Sequence, residues 1–524
     1  MVFRSEYPDV PVVDLSIHQA VLGGAARFGN APALLDGITG KALGYAELAN
    51  SVGRLAAALA ESGLRKGDVV ALLSPNSLAY PVVFFGASRA GATVTTVSPL
   101  STPGELAAQL RDSGARWVVT VSALLPVALE AEVELAKDGV GLREVIVCDR
   151  AAGHRSLADL LNTTAPVPDV AVDPGTDVAV LPYSSGTTGL PKGVMLTHRA
   201  IATNLAQVDA LHQFAPGERI VGVLPFFHIY GLSVLMNRAL RAGATVVVLP
   251  RFDLEQFLRT IQEHRVEGLF VAPPIVLALA KHPLVERFDL SSVRYVLSGA
   301  APLDAELAAG CAARLGLPTI HQGYGMTELS PVTHLVPLTD QSPAPGAVGK
   351  LVSSTELRLA ALDGSNGDLG PGQTGEVLIR GPQMMRGYFG RPGETDATVD
   401  ADGWLHTGDV GRVDERGYLH VVDRVKELIK YKGYQVAPAE LEALLLGHPG
   451  IADVAVVGVT GSDGEERPKA FVVRAAGSTL DEAEVMAFVA ARVAPYKKVR
   501  AVEFLAAVPK SASGKILRRE LRAR

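Results

Sequence analysis

Residues 178–194 read Val-Ala-Val-Leu-Pro-Tyr-Ser-Ser-Gly-Thr-Thr-Gly-Leu-Pro-Lys-Gly-Val. An apolar strand-like run, Val178–Tyr183, leads straight into four hydroxyl residues among three glycines, with Lys192 near the end. Glycine lets the backbone fold back so that successive N–H groups converge on an anion, and hydroxyls add donors. This is a phosphate loop in physical terms. It is not a Walker A loop, because Lys192 is followed by Gly193 where that motif needs Ser or Thr. Composition alone leaves a flexible surface turn as the competing reading.

Outward from this loop, short β-branched runs recur at Val69–Leu73, Trp117–Val121, Thr245–Leu249, Leu269–Ala272 and Tyr295–Ser298. Helical periodicity fills several gaps, as in Leu48, Val52, Leu55, Ala56 and Leu59, with Gly63 suited to a left-handed stop. Alternating strands and helices predict βαβ units and an α/β fold. From about Ala347, Gly, Asp and Pro become frequent, and short hairpin-linked strands (Glu376–Arg380, Tyr418–Val422) predict a β-rich subdomain. A Lys-rich segment after Arg424 opens a compact α+β tail, with helices near Glu440–Leu446 and Glu482–Val493 and strands at Val454–Val457 and Phe471–Val473. The expected division is a large domain over residues 1–423 and a small mobile domain over 424–524, hinged near Asp423–Arg424.

The 524 residues suggest three or more folding units at roughly 100–200 residues each. With 48% hydrophobic and 20% charged residues, the composition is that of a large protein with a sizeable core. A net charge of -6 gives no reason to expect nucleic acid or a membrane surface as partner. Cys148 and Cys311 form no metal-ligand spacing or disulfide framework, and no signal-peptide plan opens the chain, so a cytoplasmic location is expected. The apolar stretch Tyr80–Val97 is broken by Arg89 and glycines and reads as core, not as a membrane span.

An ordered series of further segments follows the loop: Phe227-His-Ile-Tyr-Gly231, Gln322-Gly-Tyr-Gly-Met-Thr-Glu328, Trp404-Leu-His-Thr-Gly-Asp409, Asp423-Arg-Val-Lys-Glu-Leu-Ile-Lys-Tyr-Lys-Gly-Tyr434 and Pro509-Lys-Ser-Ala-Ser-Gly-Lys515. Together with residues 183–194 they resemble the motif series of the acyl-adenylate-forming enzymes, which include acyl-CoA synthetases, luciferases and adenylation domains of peptide synthetases. The resemblance spans nearly the whole chain and implies an ATP-dependent enzyme that activates a carboxylic acid as its acyl-AMP and passes the acyl group to coenzyme A.

The chemistry explains what such residues must do. A carboxylate is a poor electrophile, and joining it to the α-phosphate of ATP brings two anions together, so cations and a metal must offset their repulsion. By the resemblance, Ser184, Ser185, Gly186, Thr187, Thr188 and Lys192 cradle phosphates, and Thr327 lies near the α-phosphate. Glu328 holds Mg²⁺, Gln322 and Gly323 floor the nucleotide site, and Asp409 with Arg424 holds the ribose. Lys515 is implied as the catalytic lysine of adenylation, Lys426 as a nucleotide contact at the hinge, and Lys430 as a contact to the intermediate. Lys432 and Gly433 are implied to border the coenzyme A channel, with Arg251 contacting its nucleotide.

Within the family, Phe226-Phe-His-Ile-Tyr230, Ser298-Gly-Ala-Ala-Pro-Leu303 and Ile429-Lys-Tyr-Lys-Gly-Tyr-Gln-Val-Ala-Pro438 resemble 4-coumarate–CoA ligases. That likeness implies His228 as a gate beside the acyl group, and Tyr230, Val234, Gly299, Ala300 and Gly325 around the acyl pocket. Gly299 reads equally as a pocket-shaping residue or as a turn requirement. Val234 departs from the small polar residue of many hydroxycinnamate enzymes. The alternatives are a medium-chain fatty acyl-CoA synthetase, a carrier-protein-loading adenylation enzyme and a nucleotide-binding regulatory protein without catalysis. Intact Lys192, Glu328, Asp409 and Lys515 oppose the last.

Overall fold

The computed structural model describes residues 1–184, 191–362, 367–431, 434–460, 466–511 and 514–522. Among them, one sheet orders the strands Val178–Val180, Thr93–Val97, Val69–Leu73, Trp117–Thr120 and Glu144–Val147 side by side, all parallel. The helices Tyr45–Glu61, Ala79–Arg89, Pro103–Ser113 and Leu125–Ala136 lie between sheet strands in sequence. The predicted stripe Leu48, Val52, Leu55, Ala56 and Leu59 is buried, and Gly63 ends that helix region at φ +97°. Strand Lys192–Thr197, on the far side of the signature loop, pairs antiparallel with Val178–Val180. The loop is thus anchored at both ends on one sheet.

A second sheet begins with parallel strands in the order Pro32–Asp36, Thr245–Val248, Arg219–Gly222, Gly268–Val271, Tyr295–Ser298 and His321–Gly325. It then continues antiparallel through Val332–Leu335, Gly349–Leu351, Tyr418–Arg424, Leu405–Val413, Gly375–Arg380 and Glu356–Ala360, and Val2–Arg4 closes that edge. The β-rich region is therefore continuous with the α/β sheet, and its antiparallel pairing starts at Val332, before the change in composition near Ala347. Composition registers the hairpins, whereas the sheet is defined by hydrogen bonds that cross from one texture to the other.

The C-terminal region has its own small sheet, with Ile451–Thr460 antiparallel to Glu466–Arg474 and Ala501–Phe504 parallel to the latter. Helices Pro438–Leu446 and Glu482–Ala490 contribute Leu441, Leu445, Val485 and Val489 to a separate apolar cluster with Val454, Val456 and Val472. The strand Tyr418–Arg424 is the last of the large sheet in chain order. There the buried carboxylate of Asp423 accepts from the N–H of Arg424 at 2.7 Å and from that of Ala439, in the first turn of helix Pro438–Leu446, at 2.9 Å. Burial pushes the Asp423 carboxyl up to about 6.

Candidate active site

Residues at and beyond the carboxyl ends of parallel strands in the two sheets meet, as Ser184 does Glu328 and Thr96 does Phe227, in the region where open α/β sheets bind ligands. Ser184 follows Val178–Val180, and His228 and Tyr230 follow Arg219–Gly222. Gly299 and Ala300 follow Tyr295–Ser298, while Gln322, Gly323 and Gly325 ride on His321–Gly325 with Thr327 and Glu328 just beyond.

Glu328 is 5% exposed. Its Oε1 accepts from Ser184 Oγ at 3.1 Å and from the Tyr388 hydroxyl at 3.0 Å. Both bonds fall on one oxygen, which leaves Oε2 without a partner among the described residues. Lys192 pairs with Glu394 and lies 4.9 Å from the centre of the Tyr388 ring. Of the phosphate loop, Ser185, Gly186, Thr187 and Thr188 lie outside the described residues.

Asp409 is 6% exposed, accepts from the Tyr324 hydroxyl at 2.6 Å, and meets Arg424 Nε at 3.1 Å. Its own N–H donates to Thr407 Oγ1 at 3.0 Å, and the Thr407 hydroxyl donates to the Val377 carbonyl. Burial alone would lower the Arg424 guanidinium, but Asp409, then Tyr324 and Glu328, hold it above its ordinary value. Burial first, and Asp409 second, push the Tyr324 phenol well up, so it donates and does not ionise.

Lys515 reaches this cluster from the C-terminal region. Its neighbour Gly514 is left-handed, at φ +84°, and sits so close to the large domain that a Cβ there would stand 3.3 Å from Pro274 Cγ. The Lys515 side chain is exposed to solvent at the edge of this cluster. Desolvation, then repulsion from Arg424, lowers it below its usual value, and attraction to Asp409 and Glu328 opposes that shift. His228 is held neutral, with a pKa down to about 3, by burial and then by the Lys515 charge. A neutral ring agrees with its Nδ1 accepting the Tyr230 N–H at 3.3 Å. Two cations, Lys515 and Arg424, are thus set among two carboxylates, Asp409 and Glu328, with a neutral imidazole beside them.

Two of the residues expected at the acyl group, Tyr230 and Val234, lie on a π-helical turn, Tyr230–Asn237, every residue of which is buried. The Tyr230 hydroxyl donates to the Leu297 carbonyl at 3.2 Å, and Val234 is buried within the turn. Gly299 does not adopt a positive φ; the left-handed residue here is Ala300, at φ +71°. A Cβ on Gly299 would stand 3.1 Å from Tyr230 Cε1. The glycine is therefore accounted for by the tight space beside the tyrosine ring and not by the turn. Gly325 is a tighter case, since a Cβ there would fall 1.8 Å from the Pro331 carbonyl oxygen.

Other expected residues stand apart. Lys430 is exposed on the strand Ile429–Tyr431, with its N–H donating to Glu466 at 2.8 Å, and Lys426 and Arg251 are exposed. Lys432 and Gly433 lie outside the described residues. Sequence reasoning missed Tyr388, Glu394 and the role of Tyr324. Tyr324 carried a signal, since it lies inside the segment 322–328. Tyr388 carried none: it reaches Glu328 only because Gly387–Tyr388 pairs with Lys192–Thr197 at the sheet edge.

A site with an Asp–Arg–Tyr grip, a hydroxyl-bound glutamate and an incoming lysine suits a nucleotide and an acyl group brought together. The AMP-binding enzyme family model matches residues 23–389, and that of the AMP-binding enzyme C-terminal domain matches 440–515. The chain is 45% identical to 4-coumarate–CoA ligase 2 of Oryza sativa subsp. japonica, with all of this chain and 95% of that protein covered. It is 44% identical to 4-coumarate–CoA ligase of Pinus taeda, with 100% and 97% covered. Among solved structures, the anthranilate CoA ligase AuaEII in complex with anthranoyl-AMP superposes with a TM-score of 0.88 at 26% identity, covering 98% of each chain. ATP-bound MatB from Rhodopseudomonas palustris superposes at 0.86 and 30% identity, covering 96% of this chain and 98% of that one. By these matches over most of its length, the chain belongs to the AMP-binding enzyme family.

Proposed function

We propose that this protein is an ATP-dependent, AMP-forming acid–CoA ligase acting on 4-coumarate- and cinnamate-type acids. The observation that carries this reading is the full-length identity of 44–45% to 4-coumarate–CoA ligases from rice and pine. The close approach of Gly299 to Tyr230 is consistent with it, because a side chain at 299 would crowd the tyrosine that this reading sets beside the acyl group.

In the first half-reaction, Lys515 places a positive charge where the substrate carboxylate meets the α-phosphate, positioning both and offsetting their repulsion. Asp409 holds the ribose diol and is itself held by Tyr324 and Arg424. His228, kept neutral, borders the acyl group without adding a second charge beside Lys515. The donor set suits Mg²⁺, which binds through one or two carboxylates together with substrate phosphates and waters. Glu328 would hold it, and the bound ion would supply further neutralisation of phosphate charge.

For the second half-reaction, the C-terminal domain turns about residues 423–426. This withdraws Lys515 and brings the Lys430–Gly433 segment toward the acyl-AMP, with Arg251 meeting coenzyme A. The outward position of Lys430, while Lys515 faces Asp409 and Glu328, supports this alternation. At the ring end of the acyl slot, Val234 offers no polar group and the Tyr230 hydroxyl already donates to Leu297. Cinnamate is therefore accepted alongside 4-coumarate.

The test is thioester formation by the purified protein with ATP, Mg²⁺ and coenzyme A on 4-coumarate, cinnamate, benzoate and octanoate, with pyrophosphate release followed in parallel. Fastest turnover on the two phenylpropanoid acids is expected. Preference for octanoate would replace the substrate assignment, and pyrophosphate release without thioester would replace coenzyme A by a carrier protein as acceptor.

A further inference from the structure

A cleft of about 450 Å³ lies on the large domain between helices Ile17–Leu22, Tyr45–Glu61 and Ala79–Arg89 and the extended strap 168–172. None of the residues that bind or activate substrate in the proposed reaction lines it. Arg89, in the last turn of its helix, projects into it half-buried. Its guanidinium forms neither an ion pair nor a hydrogen bond among the described residues. It lies against Gly53 of the long helix, with Nη1 3.5 Å from where a Cβ would stand, so a smooth glycine face carries it.

The other walls are rich in donors. Gln19 uses only its Oε1, which accepts from the N–H and hydroxyl of Ser16, so its amide N–H₂ is uncommitted. The strap is fixed at its end, where Lys66 donates to the Ala171 carbonyl at 2.8 Å and pairs with Asp177. The N–H groups of residues 169–172 nevertheless give no bond to any backbone carbonyl among the described residues. His18 is neutral near pH 7, with a pKa lowered to about 4 by burial, then by His198 and Arg89. The carboxylate of Asp169, on the exposed strap, forms no ion pair with Arg89. An unpaired guanidinium that lines one cleft with residues whose amide N–H groups are uncommitted is complementary to an oxyanion.

We propose that this cleft is a second oxyanion site, taking a small carboxylate or phosphate on Arg89, separate from the adenylation cleft. The test is the thermal midpoint of the full chain, with AMP present to occupy the nucleotide site, titrated with acetate or with inorganic phosphate against chloride at equal ionic strength. A saturable rise is expected with at least one probe, because a ligand that binds only the folded state stabilises it. Response to acetate alone marks a carboxylate site, and response to phosphate alone a phosphate site. Arg89→Gln is expected to weaken the apparent affinity about tenfold or more, as loss of a charged hydrogen-bond donor does. Ala49→Phe, which fills the cleft and leaves Arg89 in place, abolishes the response and decides the matter if Arg89→Gln fails to fold. Both variants retain thioester formation. A rise unchanged by Ala49→Phe, or no saturable rise with either probe, overturns the proposal.

Discussion

Asp409 and Arg424 are coupled twice: they are register partners across the antiparallel strands Leu405–Val413 and Tyr418–Arg424, and their side chains meet at 3.1 Å. The pair proposed to hold the ribose is thus part of the sheet, and Arg424 is the last residue of its strand. Replacing Asp409 by Ala removes the acceptor for Tyr324 and for the ribose and leaves Arg424 unpaired. Such charged hydrogen bonds contribute about 1.5–3 kcal/mol each, so ATP affinity is expected to fall about 10- to 100-fold, measured by calorimetry. An unchanged dissociation constant would remove Asp409 from the nucleotide site.

Lys515→Ala separates the two half-reactions. Pyrophosphate release from ATP and acid should fall by about 10²–10³, the usual cost of losing one preorganised electrostatic donor. Thioester formation from supplied acyl-AMP should remain largely intact. Equal loss in both assays would contradict the division of labour between Lys515 and the Lys430–Gly433 segment.

The same lysine sets the alkaline limit. In the proposed reaction its charged form is the active one, and desolvation, then repulsion from Arg424, lowers its pKa below the ordinary lysine value. Adenylation is therefore lost as pH rises through that lowered value, earlier than an ordinary lysine would allow. In Lys515→Arg any residual rate should lose this limb, because a guanidinium stays protonated. His228, already neutral, contributes no inflection near 6.5.

Gly299→Ala places a methyl 3.1 Å from the Tyr230 ring, which must give way by a few tenths of an ångström and strain its bond to Leu297. The slot narrows on one side. Ratios of kcat/KM should move toward the less substituted ring, cinnamate over 4-coumarate, by about 1–3 kcal/mol of discrimination. Parallel loss on both acids would place the residue outside the ring-recognition surface.

Asp423 carries a pH signature of its own. Its carboxyl is raised from 3.8 to about 6 by burial, so the folded state binds its proton more tightly than the unfolded chain. The stability this lends is full below about pH 4 and is lost as pH rises through about 6, a difference of about 3 kcal/mol. Asp423→Asn cannot titrate, and its unfolding free energy relative to wild type should rise across that window and level off above it. A flat difference between the two proteins would deny the raised pKa.

Local chemistry is what the sequence by itself determined. Period and apolar character placed Val69–Leu73 and Tyr295–Ser298 as strands with their bounds unchanged in the structure, and the stop at Gly63 followed from its left-handed tolerance. Segments 322–328, 404–409 and 509–515 supplied Tyr324, Asp409 and Lys515, which folding brings close together. Only the tertiary structure decided whether Gly299 serves a turn or a space, since that depends on Tyr230, far away in sequence. Only it brought Tyr388 onto Glu328 through pairing at the sheet edge, and joined the β-rich region to the α/β sheet by bonds between Val332–Leu335 and His321–Gly325. The physical reason is the same in each case. Backbone preference is a property of neighbours in sequence, whereas contact, burial and a shifted pKa belong to groups that folding makes neighbours in space.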